Sequence, residues 1–554
     1  MHGLMMDYQL TIPAMARRAE AFHPARAIVA RGADGLVHRT TYREVLARAR
    51  RLIGALRALG VEPGDRVATF CWNHHQHLEA YYGVPSMGAV LHTLNVRLHA
   101  EELAYIANHA GDSVAIVDRV LLPQFEKFRR DVPFAHVIVV DGGADTPAGM
   151  HDYETLIAAH GEAPFDDRID ERQAAAMCYT SGTTGRSKGV VYSHRSNALH
   201  SLALGLHDVN FVRESDSILA VVPMFHANAW GLPYAALLHG ASQVLPGPAL
   251  DARSILDLMQ RERVTVAAGV PTIWMAVLDA LDAAPARWDL SALRLMVSGG
   301  ASVPDSLMRG YERHGILVQQ AWGMTETSPL GSMATPTHDL RDAADAEQWA
   351  YRNSAGRAVP FVETRVRGES GFVEWNGDAM GELEVRGPWV AGAYYGSSDS
   401  ADRFTDDGWF KTGDIASIDA RGYITLRDRA KDVIKSGGEW ISSVALENML
   451  MKHPNVAEAA VVGLQHPKWD ERPLALVVAR PGCVCTSEEL TAHLMPHFPK
   501  WWMPNAFEFA TAIPRTSVGK FNKRAIREMY DGYFTRAAAA SLPAETANVH
   551  VVNE

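Results

Sequence analysis

Cysteine is scarce in this chain, with four residues in 554, at Cys71, Cys178, Cys483 and Cys485. So few and so scattered, they cannot build the disulfide framework of a small secreted domain. The pair at 483–485 has no second cysteine pair and no nearby histidine cluster to complete a zinc site, so reduced, structural thiols are expected. Positive charge is in deficit too. Lys and Arg number 53 against 64 Asp and Glu, a formal net charge of −11, which argues against general attraction to nucleic acid or an anionic membrane. Cations for an anionic ligand must therefore be placed locally. Long apolar runs are also missing. The most apolar stretch, Ala220 to Ala241, is interrupted by two prolines, two histidines and an asparagine, poor material for a membrane span. The first residues, MHGLMMDYQLTIPAMARR, lack the basic start and apolar core of a signal peptide. An enzyme-sized cytoplasmic protein is expected, built of about three or four globular units.

What is present is a regular alternation. TYREVLARARRLIGALRALG opens with a capping box, Thr41 and Glu44, puts Val45, Leu46, Ala49, Leu52, Ile53, Leu56 and Leu59 on one helical face, and stops at Gly60. Strand-like runs DRVATFCWN, SVAIVD (113–118) and HVIVVD (136–141) alternate with helical patterns near 76–88 and 121–130. The rhythm resumes with SILAVV (217–222), ASQVLP, VTVAAGV and LRLMVSG (293–299). Such alternation predicts parallel sheets covered on both faces, with ligands bound where strands end. Beyond residue 350, short strands divided by Gly and Asp turns predict a β-rich part. A mixed unit follows the charged stretch RDRAKD, which has the composition of an interdomain hinge. The expected boundaries are 1–428, a hinge at 429–432, a small unit at 433–534, and a loose tail at 535–554.

Between the strand-like AAAMC (174–178) and VVYSH (190–194) lies YTSGTTGRSKG, Tyr179 to Gly189. Three readings are open for it: a phosphate cradle, a linker, or a variant Walker A loop. Successive N–H groups in a Gly-rich turn, with hydroxyls and a lysine, suit a phosphate. Anchoring at both ends disfavours a linker, and Walker A needs its lysine to open a helix. Elsewhere SGGAS (298–302), QAWGMTETS (320–328), TGD (412–414) and PRTSVGKFNK (514–523) are each ordinary as turns or strand ends.

Taken together, in this order and spacing, YTSGTTGRSKG, WGMTET, FKTGD, DRAKDVIKSGGEWIS and PRTSVGK resemble the adenylate-forming superfamily of acyl-CoA synthetases, luciferases and peptide-synthetase adenylation domains. WNHHQHLEAYYGVPSMGAVLHTLN, VVPMFHANAWGLPY and IKSGGEWISS are similar to the branch of medium- and long-chain fatty acyl-CoA synthetases and methylthiopropionate-CoA ligases. The resemblance runs from Thr40 to about Glu528. It implies an α/β fold with a large N-terminal portion, two α/β subdomains plus a distorted β-barrel, and a small mobile α+β C-terminal domain. It also implies two steps: a carboxylic acid attacks the α-phosphate of MgATP, then CoA displaces AMP.

Residue by residue, the resemblance implies that Thr180, Ser181, Gly182, Thr183, Thr184, Gly185 and Lys188 hold the β- and γ-phosphates. Glu326, with Thr180, would hold Mg2+, as hard oxygens suit that ion. Gly300, Gln320, Ala321 and Trp322 would surround adenine, Thr325 touch the α-phosphate, and Asp414 accept the ribose hydroxyls. Lys520 would bridge carboxylate and α-phosphate. Arg429 and Lys431 lie in the hinge stretch, and Lys435, Gly437, Gly438 and Glu439 would line the pantetheine entrance after rotation. His226, Trp230 and Gly323 would border the acyl pocket, with Trp230 as its gate. One departure stands out: Ser187 occupies the position before the loop lysine where the family usually has proline, so a more mobile loop is expected. The function that follows is fatty acyl-CoA synthesis, without nucleic acid, by a homodimer. Three other readings stay open: a short-chain ligase of the same branch, such as one for 3-methylthiopropionate; loading of a carrier protein; and a catalytically silent nucleotide-binding regulator.

Overall fold

Tyr42–Ala58 forms the helix that its pattern predicts, and the reasons are visible at its start. The Thr41 hydroxyl accepts the Glu44 amide while the Glu44 carboxylate accepts the Thr41 amide at 2.9 Å, two donors satisfied reciprocally. Val45, Leu46, Ala49, Leu52, Ile53 and Leu56 are fully buried, each large aliphatic contributing about 2 kcal/mol through area removed from water. Gly60, at φ 85°, lets the chain leave.

The computed structural model describes residues 1, 3–180, 186–301, 303–340, 342–396, 401–436, 439–516 and 520–540. They divide into a larger unit, 1–412 with 416–426, and a smaller one, 413–415 with 427–516 and 520–540.

Two sheets build the larger unit. The first runs His151–Asp152, His136–Val140, Asp112–Asp118, Arg66–Phe70, Val90–Thr93, Ala174–Tyr179 and Gly189–Ser193. Its strands are parallel until the last pair, which is antiparallel. The segment expected to bind phosphate thus spans the tip of a β-hairpin, an exception within a parallel sheet. The second sheet has a parallel block, Ala27–Arg31, Ser242–Leu245, Ser217–Ala220, Val266–Gly269, Leu295–Gly299 and Val318–Gly323. It continues through antiparallel Leu330–Met333 and Gly356–Ala358 into the β-rich region that includes Phe410–Ile418 and Tyr423–Arg429. Helices pack between these strands, as the alternation predicts.

The smaller unit is a mixed sheet of Glu439–Ile441, Ile434–Ser436, Asp470–Ala479 and Val456–His466, with Ala506–Phe509 parallel to Asp470–Ala479. Its helix Ser487–Leu494 carries the capping box of Thr486 and Glu489. Inside it, Lys523 Nζ lies 2.7 Å from Glu447 Oε1 and donates to Ser443 Oγ at 2.5 Å. Asp428 Oδ2 accepts the Ser443 amide and hydroxyl, both at 2.6 Å. Burial pushes the Glu447 carboxyl up to about 7 against the pull of Lys523.

Several elements lie outside the expectations, among them the helix Ala100–Ala110. The N-terminal helix Ile12–Phe22 is capped by Thr11 and has Pro13 in its first turn. A hairpin of Ala27–Arg31 and Val37–Thr41 borders the second sheet. The helix Tyr533–Ala540 reaches past residue 535, into the segment expected to be loose. Among the described residues, no helix is long and apolar enough to cross a membrane.

Candidate active site

The two arms of the Gly-rich loop close on each other. Thr180 N–H donates to Lys188 O at 2.9 Å, and Lys188 N–H donates to Thr180 Oγ1 at 3.2 Å. Tyr179 and Gly189 then pair across the hairpin. The lysine therefore opens a strand, Gly189–Ser193, rather than a helix, and the Walker A arrangement is excluded here. Ser181, Gly182, Thr183, Thr184 and Gly185 lie outside the described residues.

From this base Lys188 Nζ stands 4.9 Å from the centre of the Tyr394 ring, a cation–π contact. The Tyr394 hydroxyl donates to Glu326 Oε1 at 2.5 Å. Burial and the neighbouring Glu326 carboxylate raise the Tyr394 pKa, so it stays a proton donor at neutral pH. Glu326 is 6% exposed in the short turn Thr325–Thr327. Ala391 N–H donates to its carbonyl at 2.7 Å, and the Tyr192 hydroxyl to the Thr325 carbonyl at 2.7 Å. A fixed carboxylate and a cation thus meet through one phenol. The Glu326 carboxylate oxygens are donors of the kind that suits a hard divalent ion.

The turn after Leu295–Gly299 lies beside the end of Val318–Gly323, with Ser298 opposite Gln320 and Gly299 opposite Ala321. Gly300, at φ 79°, makes that turn. Gln320, Ala321 and Gly323 are half-buried. A Cβ at Gly323 would fall 1.8 Å from the Pro329 carbonyl oxygen, so no larger residue fits there. Trp322 is 7% exposed, packed in the core against Gly331, so its ring offers little free face.

Trp230 comes to the same place. A Cβ on Gly299 or Gly300 would meet its ring at 3.4 or 3.8 Å, so the indole edge packs on the turn expected to border adenine. It is carried there by a left-handed turn: Ala227, Asn228, Ala229, Trp230 and Gly231 have φ of 43°, 52°, 48°, 58° and 73°. Each non-glycine residue in this region costs about 1–2 kcal/mol, so the neighbours must hold it. Cys178 Sγ and the Tyr81 hydroxyl donate to Asn228 Oδ1 at 3.1 and 3.4 Å. His226, half-buried, precedes the turn and donates its amide to Pro223 O at 3.0 Å. Backbone strain of this kind concentrates at functional sites.

The remaining expected residues belong to the smaller unit. Asp414, 4% exposed, pairs with Arg429, whose Nε lies 2.8 Å from Oδ1. Lys435 is exposed on Ile434–Ser436, its amide donating to Glu471 Oε2 at 2.9 Å. Lys520 closes a loop with Thr516: Thr516 N–H donates to Lys520 O at 2.8 Å, and Lys520 N–H to Thr516 Oγ1 at 3.2 Å. Lys431 is exposed, and its carbonyl accepts from Arg527 at 3.2 Å. Glu439 opens the strand Glu439–Ile441; Gly437 and Gly438 lie outside the described residues.

The structure thus brings together Lys188, Thr180, Thr325 and Glu326 on one side, and Gly300, Gln320, Ala321 and Trp230 on the other. Tyr394 was not anticipated. Its signal was the aromatic pair in GAYYG (392–396), which resembles core packing until Glu326 is seen beside it.

The AMP-binding enzyme family matches residues 15–395, and the C-terminal domain of AMP-binding enzymes matches 445–520. A long-chain fatty acid–CoA ligase of Thermus thermophilus is 51% identical, covering 96% of this chain and 97% of that one. A 3-methylmercaptopropionyl-CoA ligase of Ruegeria pomeroyi is 42% identical, covering 97% and 100%. Among solved structures, an anthranilate–CoA ligase in complex with anthranoyl-AMP aligns with a TM-score of 0.85 at 25% identity, covering 97% of this chain and 99% of that one. The chain belongs to the AMP-binding enzyme family.

Proposed function

We propose that this chain is an AMP-forming fatty acid–CoA ligase for medium- to long-chain acids, acting in the cytoplasm as a homodimer. The observation that carries the reading is the meeting of Lys188 and Glu326 at Tyr394, in a chain aligned nearly end to end with acid–CoA ligases. Thr180 and Lys188 bind the β- and γ-phosphates, with Ser181, Gly182, Thr183, Thr184 and Gly185 completing the loop. Glu326 and Thr180 hold Mg2+, which supplies charge neutralisation on the phosphates. Gly300, Gln320 and Ala321 border adenine, with Trp322 packed behind that strand end in place of offering it a ring face, and Asp414 takes the ribose hydroxyls. Thr325 and Lys520 stabilise the α-phosphate as the acid carboxylate attacks and pyrophosphate leaves. Fixed donors of this kind lower the barrier because negative charge accumulates at phosphorus. Rotation at Lys431 then exchanges Lys520 for Lys435, Gly437, Gly438 and Glu439, and the CoA thiolate displaces AMP. A thioester assay across straight-chain acids of increasing length tests the chain-length class. Turnover highest with 3-methylthiopropionate would select the short-chain alternative, which the Ruegeria relative supports. Pyrophosphate release with ATP and acid, absent at every acid tested, would overturn the ligase reading altogether.

Two predictions arise directly. Tyr394→Phe removes the donor to Glu326 and should slow adenylation about tenfold, the scale of one hydrogen bond to a charged group. Unchanged rates of pyrophosphate release would make Tyr394 packing alone. Trp230→Ala should let long acids bind before ATP, since an indole packed on Gly299–Gly300 links the acyl entrance to the nucleotide. It should disturb long acids more than acetate. Calorimetry with a long-chain acid reads this, with and without a non-hydrolysable ATP analogue. Equal acid binding in both conditions by the unmodified protein would make Trp230 a wall residue instead of a gate.

A further inference from the structure

The absence of proline at position 187 predicts a loosely held phosphate loop. The structure shows a different restraint. Ser187 is 2% exposed, and its amide, which a proline would lack, donates to Glu102 Oε1 at 3.2 Å. Glu102 lies in the first turn of the helix Ala100–Ala110. Two more residues of that helix meet the arms of the same loop. Tyr105 lies under the Arg186 guanidinium, 4.8 Å from ring centre to carbon. His109 Nδ1 is 2.6 Å from the Tyr179 hydroxyl, and its ring stands edge-on to Tyr395 at 5.6 Å. Tyr395 N–H in turn donates to Gly189 O at 2.9 Å.

Positions 102, 105 and 109 recur at helical spacing, so one stripe of one helix touches both arms. Its buried side, Leu103, Ile106, Ala107 and Ala110, is packed in the core, which makes the stripe a rigid support. Of the three contacts only the one at Glu102 is a charged acceptor on a backbone amide, and it falls on the residue immediately before Lys188.

The geometry points to Glu102 as a positioning residue for ATP: its carboxylate holds the Ser187 amide and thereby aims Lys188, replacing the restraint that a fixed φ would give. The inference rests on the reading of Lys188 as a phosphate ligand. A carboxylate at this site also has a plainer role, since the first turn of any helix favours negative charge. The two roles separate in a double-mutant cycle.

Glu102→Ala should raise KM for ATP about tenfold in the pyrophosphate-releasing half-reaction, as expected for losing a hydrogen bond to a charged group. Transfer to CoA from supplied acyl-adenylate should keep its rate. Glu102→Gln retains a neutral acceptor oxygen and should show a loss clearly smaller than that of Glu102→Ala. In a Ser187→Pro background, which has no amide hydrogen to hold, Glu102→Ala should change nothing further. The same loss in both backgrounds would overturn the inference and assign Glu102 to its helix. An equal loss for Gln and Ala, or no loss for Ala in the Ser187 background, would overturn it too. Binding of a non-hydrolysable ATP analogue, followed by calorimetry, gives the same readings without turnover. Lys188→Ala is the control: if it leaves ATP use intact, the phosphate-loop reading itself fails, whatever Glu102 does.

Discussion

Lys520→Ala is expected to reduce acyl-adenylate formation by about two to three orders of magnitude, roughly 3 kcal/mol or more of barrier, the scale for removing one preorganised donor. The expectation rests on how rigidly this lysine is presented. Thr516 and Lys520 bond each other across the loop ends, and just outside them Arg515 and Phe521 face each other as an antiparallel bridge. The Arg515 guanidinium lies 5.0 Å from the Phe521 ring centre and reaches Glu458 at 2.6 Å. Glu458 belongs to the long strand Val456–His466, so Arg515 is tied to the sheet of its own unit. The point at which the side chain leaves the backbone is thus fixed, and the cost of its removal is that of losing one donor to the α-phosphate. The second half-reaction is the discriminator. Thioester formation from supplied acyl-adenylate should be largely spared, because the charge that builds up at the α-phosphorus during carboxylate attack, which Lys520 offsets, belongs to the first step alone. A variant in which both half-reactions fall equally would remove Lys520 from the adenylation step and leave it a general binding residue.

Much of this was legible because it depends on neighbours in sequence. The capping box at Thr41, the strands around the Gly-rich loop, and the change to short strands past residue 350 are all local patterns. The partner of each strand is not local. Nothing near Ala27–Arg31 says that it joins Ser242–Leu245 rather than the sheet that its following helix precedes. Parallel alternation also concealed the antiparallel turn at Tyr179 and Gly189, since strand periodicity carries no direction. The apolar run through FHANAW allowed a helix; five consecutive left-handed residues there depend on Cys178, Tyr81 and Asn228 meeting from three parts of the chain. Tyr394 and Glu102 were missed for the same reason. Each is an ordinary residue by pattern, and each takes its meaning from one contact, with Glu326 or with the Ser187 amide. The departure at Ser187 was visible in the sequence; the hydrogen bond its amide makes to Glu102 was not, because the partner lies 85 residues away.

Lys431→Pro should separate the two half-reactions in the opposite sense, leaving adenylation largely intact and reducing transfer to CoA by about two orders of magnitude, the scale of a misplaced reacting group. The residues before and after position 431 are firmly held within the smaller unit. Asp428 is tied to Ser443, the Ser442 hydroxyl donates to the Arg427 carbonyl, and Arg527 reaches Asp432 Oδ1 at 2.5 Å. Between these anchors the backbone makes a turn in which Asp432 and Val433 N–H both donate to Arg429 O at 2.8 Å. The proposed rotation would have to break some of these bonds, and Lys431, exposed in the turn, is the residue whose dihedral angles can change without disturbing a core. Proline there fixes φ near −65° and pushes Ala430 away from the right-handed helical region. The set of backbone states at 430 and 431 contracts, and exchange between two arrangements of the units should slow or stop. A loss confined to the CoA step, with adenylation intact, would be a loss of motion and not of a contact made to the acid or to ATP. The measurement is a pair of rates on one preparation: ATP-dependent pyrophosphate release without CoA, and thioester formation from supplied acyl-adenylate. Transfer at the unmodified rate would place the pivot elsewhere in the chain, and the next residues to test would be Arg427 and Asp432, whose bonds bound the same turn.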